Sequence, residues 1–246
     1  MILQLVSDCH LEFHEDEGTR FLANLDPTGV DILVVAGDLC SSKLLDRSLT
    51  ALCATYPEVI YVLGNHEFYH KRREALFALM TELVDKLPNL HWLENRTVSL
   101  NGFSFTGSTM WFPDLRGADP LGWLKASSCM TDFHAIPEFS LWFGEANNAW
   151  LKFAKRQIHK GDVVITHHLP SKKCVPPIFK DSELNRFFVC PMDALIKQIE
   201  PPLWLFGHTH DSVDTRLGKT RLLCNPLGYR PDELNPQFIE KLTVTL

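Results

Sequence analysis

Five short apolar runs, each ending in polar residues, are spread along this chain of 246 residues. They lie at residues 2–6, 30–36, 59–63, 163–166 and 203–206. Each run is nearly continuous in Ile, Leu and Val, a pattern typical of a strand that is buried on both faces of a sheet. Ligands bind outside the carboxyl ends of such strands in open α/β sheets. The sequence therefore predicts that five loops, distant along the chain, meet at one sheet edge.

The polar residues after these runs are of the types that bind metal ions. In chain order they are Asp8 and His10, then Asp38, then Asn65, His66 and Glu67, then His167 and His168, then His208 and His210. Oxygen and imidazole donors without thiolates suit Mn, Fe, Zn, Co or Ni. A catalytic zinc ion needs about three protein ligands plus water, so this set is large enough for two ions that share one ligand. Asp38 stands alone on its loop, and we expect its carboxylate to bridge them.

This series of motifs resembles the pattern of the calcineurin-like metallophosphoesterases. Their sequence of Asp-x-His, Gly-Asp, Gly-Asn-His-Asp/Glu, His and Gly-His-x-His is matched in order between residues 8 and 210. The resemblance implies an α/β fold, a layered sandwich of two mixed β-sheets flanked by helices (α-β-β-α). It implies one metal ion on Asp8, His10, Asp38 and His210, and a second on Asp38, Asn65, His167 and His208. It also implies that His66 is not a ligand but faces the substrate.

The activity implied by the resemblance is metal-dependent hydrolysis of a phosphoester, as a phosphomonoesterase or a phosphodiesterase. The expected partner is a small-molecule or nucleotide substrate, and the expected cofactors are two divalent metal ions, with manganese expected to support activity in vitro. His66 is expected to protonate the leaving oxygen, because histidine changes charge near neutral pH. Glu67 and Glu12 are candidates to orient ligand imidazoles, or else they are surface residues.

Two other functions are compatible with parts of this pattern. A noncatalytic protein-binding scaffold on the same fold would be expected to have lost ligands, and all of them are present here. Another two-metal enzyme, such as an amidohydrolase, does not account for the Gly64-Asn65-His66-Glu67 loop. Both alternatives are therefore less favoured than a phosphoesterase.

Two residues beside the expected ligands are ambiguous. If the strand continues through His167 and His168, their rings point to opposite faces, so only one of them should bind a metal ion. The family places its ligand at the strand end, which favours His167. Cys9 lies between two expected ligands, but on a strand its side chain would point away from theirs. We therefore predict that Cys9 packs in the core.

Charge and composition exclude several classes of protein. A net charge of -6 argues against a protein that holds nucleic acid through its phosphates. No apolar run approaches the roughly eighteen residues that a membrane span requires, so no membrane association is expected. The chain starts directly in an apolar run without a basic leader, and the seven cysteines contain no Cys-x-x-Cys pair. These features predict a cytoplasmic protein with reduced cysteines, and they leave the oligomeric state open.

The rest of the chain favours a single domain over residues 1–246. Apolar stripes predict helices at residues 44–53, 70–87 and 143–158, and Pro191 opens a short one. Hairpins are predicted at Asn101-Gly102 and around Gly218-Lys219, and residues 238–246 are predicted to form a final strand.

Residues 108–139 are the least periodic segment and carry aromatic side chains among charged ones. A segment of this kind is a candidate lid or insertion, and an aromatic minicore is the alternative. Trp111 is predicted to stack on the leaving group of the substrate, because it follows an apolar strand. Lys172 and Lys173 come soon after His167, so they either contact a phosphorylated substrate or are solvated.

Overall fold

The computed structural model describes residues 1–246 as two large β-sheets that pack face to face between helices, with a small third sheet of two short strands at residues 228–229 and 233–234. The strands are β1 (Ile2–Val6), β2 (Ile32–Ala36), β3 (Glu58–Val62), β4 (Leu90–Trp92), β5 (Arg96–Leu100), β6 (Phe103–Ser108), β7 (Val163–Thr166), β8 (Leu203–Phe206), β9 (Val213–Leu217), β10 (Thr220–Cys224), β11 (Gly228–Tyr229), β12 (Glu233–Leu234) and β13 (Thr243–Thr245). The α-helices are α1 (Thr19–Asn24), α2 (Leu45–Thr55), α3 (Arg73–Lys86), α4 (Pro120–Ser127), α5 (Asp132–Ala135), α6 (Phe139–Gln157) and α7 (Asp193–Ile199).

Both sheets are mixed, which confirms the predicted sandwich. The first has the order β13-β1-β2-β3-β4, with β1 to β4 parallel and β13 antiparallel to β1. The second has the order β5-β6-β7-β8-β10-β9, in which β6, β7, β8 and β10 are parallel and the two outer strands are antiparallel. The five strands that carry the motifs are thus divided between two sheets, whereas the sequence pattern suggested one shared edge.

The inner layer of the sandwich explains why the apolar runs are continuous. All five residues of β2 are buried. Its alternate residues Ile32, Val34 and Ala36 pack between the sheets with residues of β7 and β8, while Leu33 and Val35 pack on the other face with α2 and α3. A strand buried on both faces has no polar side to expose. Helices α6 and α7 cover the outer face of the second sheet through Trp150 and Ile196.

The predicted helices and hairpins are confirmed, with shifted ends. Helix α2 ends two residues later than predicted, and α6 begins four residues earlier. The final strand is the exception, because it comprises only Thr243–Thr245, which pairs with β1. The prediction of a strand over residues 238–246 was wrong, since Ile239 donates its backbone N–H to the side chain of Asn225 and accepts one from Leu242. Those bonds form a turn in place of a strand ladder.

Residues 108–139 contribute mainly to an aromatic cluster at the end of the first sheet. Rings from this segment pack with α6 and with a short helical turn at residues 183–187; the cluster comprises Trp111, Phe112, Trp123, Phe133, Phe139, Phe143 and Phe187. This arrangement matches the aromatic minicore that was the alternative to a lid. No helix in the structure is both long enough and apolar enough to cross a membrane.

Candidate active site

The polar residues after β1, β2, β3, β7 and β8 come together in one buried cluster between the two sheet ends. The backbone turns sharply as it leaves these strands, and Asp8, His10, Asp38 and His208 all have positive φ, between 45° and 69°. Such a conformation is uncommon for residues other than glycine, and it is concentrated at functional sites. The backbone N–H of His208 donates to Oδ1 of Asp8 at 2.9 Å, which ties the two sheets together.

Two motif glycines are required because other groups approach them closely. A Cβ on Gly64 would lie 2.1 Å from Oδ1 of Asp38. Gly37 has a φ of +85°, and a Cβ there would lie 2.3 Å from Nδ1 of His167. Any side chain at either position would displace the cluster, so these glycines have a steric role in addition to forming turns.

Four imidazoles form two close pairs, one on each side of Asp38. Nε2 of His10 lies 3.1 Å from Nε2 of His210, and Nδ1 of His208 lies 3.1 Å from Nε2 of His167. Oδ2 of Asp38 is 3.8 Å from Nε2 of His10 and 3.5 Å from Nε2 of His167. Two imidazoles bound at about 2.1 Å to one ion are separated by a similar distance. Asp8 completes a group with the first pair, and this arrangement is capable of holding two cations.

The ring nitrogens and hydrogen bonds of the cluster also fit a cation. Nδ1 of His167 donates to the backbone carbonyl of Ala36 at 3.0 Å, so the lone pair of its Nε2 faces the cluster and can bind a cation. Oδ2 of Asp8 and Nε2 of His208 are buried without any hydrogen-bond partner, which is costly unless another group compensates them. The donor set of carboxylates, amide and imidazoles suits divalent transition metals.

Electrostatics in the cluster draw positive charge toward Asp38. Burial raises the pKa of the Asp38 carboxyl, but the charges of His167 and His66 outweigh it and hold the pKa well below its usual range. Burial lowers the pKa of His167, but the negative charge of Asp38 has the larger effect and raises the pKa to about 9. A bound divalent cation replaces such a proton, because metal ligands must be deprotonated.

Asn65 is oriented by a residue that no sequence motif marks. Its amide Nδ2 donates to Oδ1 of Asp132 at 2.9 Å, while its Oδ1 lies 3.0 Å from Nε2 of His167. Asp132 belongs to α5 in the irregular segment, and Tyr69 also donates to it, at 2.8 Å. The carboxylate of Asp132 thus fixes which end of the Asn65 amide faces the cluster. Its only signal in the sequence was a place among the acidic residues of that segment.

His168 and Cys9, whose roles the sequence left open, lie outside the groups of residues that could hold an ion. The structure groups His167, and not His168, with Asp38 and His208. His168 is buried, donates from Nδ1 toward the carbonyl of Thr109 at 3.2 Å, and has its pKa lowered to about 3 by burial and by the charge of His167. Cys9 is fully buried in the hydrophobic core, as predicted.

His66 lies beside the cluster with both ring nitrogens engaged by other residues. Nδ1 donates to Glu12 at 3.1 Å, and Nε2 lies 3.0 Å from the hydroxyl of Tyr229. Burial lowers the pKa of His66, but Asp38 and the hydrogen bond to Glu12 together outweigh burial and raise the pKa to about 9. Glu12 therefore orients the predicted catalytic histidine. Tyr229 was not identified from the sequence, since it stands in the short strand β11, outside every motif.

Glu67 has a different role from the one predicted. It is fully buried and accepts hydrogen bonds from the backbone N–H groups of Leu39 and Gly64, both at 2.8 Å, and from the hydroxyl of Tyr61 at 2.6 Å. It contacts no imidazole through these bonds, so the expectation that it orients a ligand histidine was wrong. Its carboxylate instead joins the loops that follow β2 and β3, which positions Asp38 and Asn65 relative to each other.

A cavity of about 310 Å³ opens beside the cluster. Asp38, Asn65, His208 and His210 line its inner end together with Tyr229. Residues 129–132 of the irregular segment line one side, and residues between 169 and 188 line another. The cavity gives a ligand direct access to the residues that could hold metal ions.

Two predicted substrate contacts are not part of this cavity. Trp111 is only 2% exposed and packs against Phe139 and His168, with ring centres 4.8 and 5.0 Å apart. The prediction that it stacks on a substrate was therefore wrong, because it is a core residue. Lys172 and Lys173 are exposed in a short helical turn and do not line the cavity.

Replacing Trp111 with alanine should destabilise the fold without changing substrate preference. Loss of a buried tryptophan typically lowers the free energy of unfolding by about 3–5 kcal/mol, and urea denaturation measures this directly. Leu141→Ala is a matched control, because Leu141 lies on α6 and is 80% exposed. An unchanged free energy of unfolding, together with a KM that rises for bulky esters only, would contradict the assignment of Trp111 to the core.

Comparison with known proteins agrees with this geometry. The sequence model of the calcineurin-like phosphoesterase family matches residues 4–212. Uncharacterized protein L509 of Acanthamoeba polyphaga mimivirus is 24% identical over an alignment of 273 positions, which covers 95% of this chain and 93% of the viral protein.

Solved structures show the same fold. The phosphopantetheinyl hydrolase PptH from Mycobacterium tuberculosis has a TM-score of 0.76 at 19% identity, over 96% of this chain and 97% of that one. A dimetal phosphatase from Danio rerio has a TM-score of 0.50 at 12% identity, over 91% and 86% of the two chains. At such identities the likeness extends to the fold alone. The family match, however, contains every motif loop from Asp8 to His210, and the chain therefore belongs to the calcineurin-like phosphoesterase family.

Proposed function

We propose that this protein is a dinuclear metal-dependent hydrolase of phosphoesters. The observation that carries this proposal is the position of Asp38, whose Oδ2 lies 3.8 Å from Nε2 of His10 and 3.5 Å from Nε2 of His167. A carboxylate that lies between two imidazole pairs is placed where it could be shared by two metal ions. Membership of the phosphoesterase family supports the same reaction class.

In the proposal, seven side chains hold the two ions. One ion is bound by Asp8, His10, Asp38 and His210, and the other by Asp38, Asn65, His167 and His208. Divalent ions at such a site polarise phosphoryl oxygens and activate water as a nucleophile near neutral pH. Asp132 supports this ligand set from behind by orienting the amide of Asn65.

His66 is the proposed catalytic residue. Its Nδ1 is held by Glu12, which leaves Nε2 as the atom that exchanges a proton with the leaving oxygen once the substrate displaces Tyr229. A raised pKa keeps a proton on the imidazole at neutral pH, and bound cations offset part of that rise. The ring is therefore oriented to donate a proton to the leaving group.

The first test is metal analysis of the purified protein followed by an activity panel. We expect two ions per chain, loss of hydrolysis after chelation, and recovery when manganese, cobalt or nickel is added back. The panel should contain mono-, di- and cyclic phosphoesters with the same alcohol, so that the ester type is identified separately from the leaving group. Full activity in metal-depleted protein would contradict the proposal. A metal-loaded protein that hydrolyses no ester would favour the noncatalytic scaffold.

A further inference from the structure

The cavity beside the metal-binding cluster is lined by polar candidate ligands and by a set of apolar side chains. The inner end is formed by the polar candidate ligands, and the wall beyond them includes Leu169, Val175, Phe179, Leu184 and Phe188. The ring of Phe188 lies 4.5 Å from that of His208, measured between centres. The apolar wall thus begins directly beside the cluster, and a molecule bound there would extend along apolar surface.

The charges on this wall are unsuited to a second anionic group. Apart from the candidate ligands and Asp132, which accepts hydrogen bonds from Asn65 and Tyr69, the charged residues that line the cavity are Asp211 and Glu233, and no lysine or arginine is among them. Arg186, which is close in sequence to the apolar wall, is paired with Asp119 at 2.9 Å. An anionic substituent beyond the phosphoryl group would face carboxylates with no cation to compensate it, and such like-charge contacts oppose binding.

We propose that the substrate is a phosphoester of an uncharged alcohol with an extended apolar body, and that Phe179, Leu184 and Phe188 bind this body. The inference rests on the proposed function, because it requires the phosphoryl group to lie at the metal ions. Phe179 and the adjacent Ile178 are 51% and 83% exposed. Exposed large apolar side chains at the rim of a cavity are typical of a binding surface. Nucleoside di- and triphosphates are selected against by the same wall.

Three synthetic probes test this inference on the manganese-loaded protein. Octyl phosphate carries an apolar chain, and ethyl phosphate lacks that chain. The third probe, 8-phosphooctanoate, is the phosphate ester of 8-hydroxyoctanoate, so it has the length of octyl phosphate but ends in a carboxylate. The distant carboxylate leaves the reactivity of the ester bond almost unchanged, so differences in kcat/KM report binding along the wall. If the activity panel identifies a diesterase, the methyl diesters of the same three alcohols are used. Release of the alcohol is measured by chromatography for all probes.

We expect kcat/KM for octyl phosphate to exceed the value for each of the other two probes by about tenfold or more, the size of effect that a hydrophobic pocket supplies. Phe179→Ala should lower the octyl-to-ethyl ratio by about tenfold, and Phe179 is exposed enough that folding should persist. Glu233→Lys should raise the ratio of the carboxylate probe to octyl phosphate. Leu141→Ala, on an exposed face of α6, is the control that should change neither ratio.

The outcomes separate this inference from the function on which it rests. A kcat/KM for 8-phosphooctanoate within threefold of that for octyl phosphate would overturn the inference while leaving phosphoester hydrolysis established. An octyl-to-ethyl ratio that Phe179→Ala leaves unchanged would overturn the role of the apolar wall. Absence of hydrolysis for every ester in the activity panel, with two ions bound, would overturn the proposed function and this inference with it.

Discussion

Asp38→Ala is expected to remove at least one metal ion per chain and to lower turnover by about 10³-fold or more, because several kcal/mol of charge stabilisation depend on the ions. The carboxylate of Asp38 lies between the two histidine pairs and also accepts the backbone N–H of His66 at 2.8 Å. Its loss therefore affects both proposed ion sites. Metal content by mass spectrometry and phosphate release measure the two effects.

The control for this variant is another buried aspartate. Asp162→Ala removes a carboxylate that is 5% exposed and accepts the backbone N–H of His159, outside the site. It should lose some stability but keep two ions and full turnover. If Asp38→Ala also retained two ions, the bridging assignment would be wrong.

His66→Asn is expected to lower turnover by about 10² to 10⁴-fold, the usual contribution of a general acid, while two metal ions remain bound. The ring contacts Glu12 and Tyr229, and in the proposal it is not a metal ligand. The loss should be smaller for nitrophenyl esters than for alkyl esters, because a nitrophenolate leaves without protonation. A series of leaving groups of graded pKa, assayed under saturating metal, measures this dependence.

His91→Asn is a matched control, since Nε2 of His91 donates a hydrogen bond to Glu58 at 2.7 Å and the residue lies outside the motif loops. The His91→Asn variant should show the same dependence of turnover on the pKa of the leaving group as the unmodified protein. Equal losses for good and poor leaving groups in His66→Asn would exclude a role in protonation. Loss of a metal ion in this variant would place His66 among the ligands instead.

The parts of the fold that depend on local pattern were predictable. Strands buried on both faces read as continuous apolar runs, and a hairpin such as the one at Asn101-Gly102 requires turn residues that tolerate positive φ. Helices α2, α3 and α6 were visible from their apolar stripes, because one face of each must be buried. The ends of these elements were less predictable, since tertiary contacts decide where a helix or strand stops.

Residues outside the motifs were harder to interpret. Trp111 was misassigned because an aromatic side chain in an irregular segment has the same sequence signature in a core and in a binding site. Glu67 stands in a motif, yet its partners are backbone N–H groups of another loop, which the sequence does not display. The roles of Asp132 and Tyr229 also depend on contacts with residues 67 and 163 positions away in the chain.

The sequence by itself determined the family, the layered α/β architecture and the chemical types gathered at the strand ends, because strand burial and motif order are local properties of the chain. Only the tertiary structure decided that the motif strands belong to two sheets, that His167 rather than His168 joins Asp38, and that an apolar wall adjoins the cluster. The physical reason is that packing between distant segments sets side-chain direction and burial. In loops, where no strand or helix periodicity applies, neither quantity is encoded in the spacing of residues along one segment.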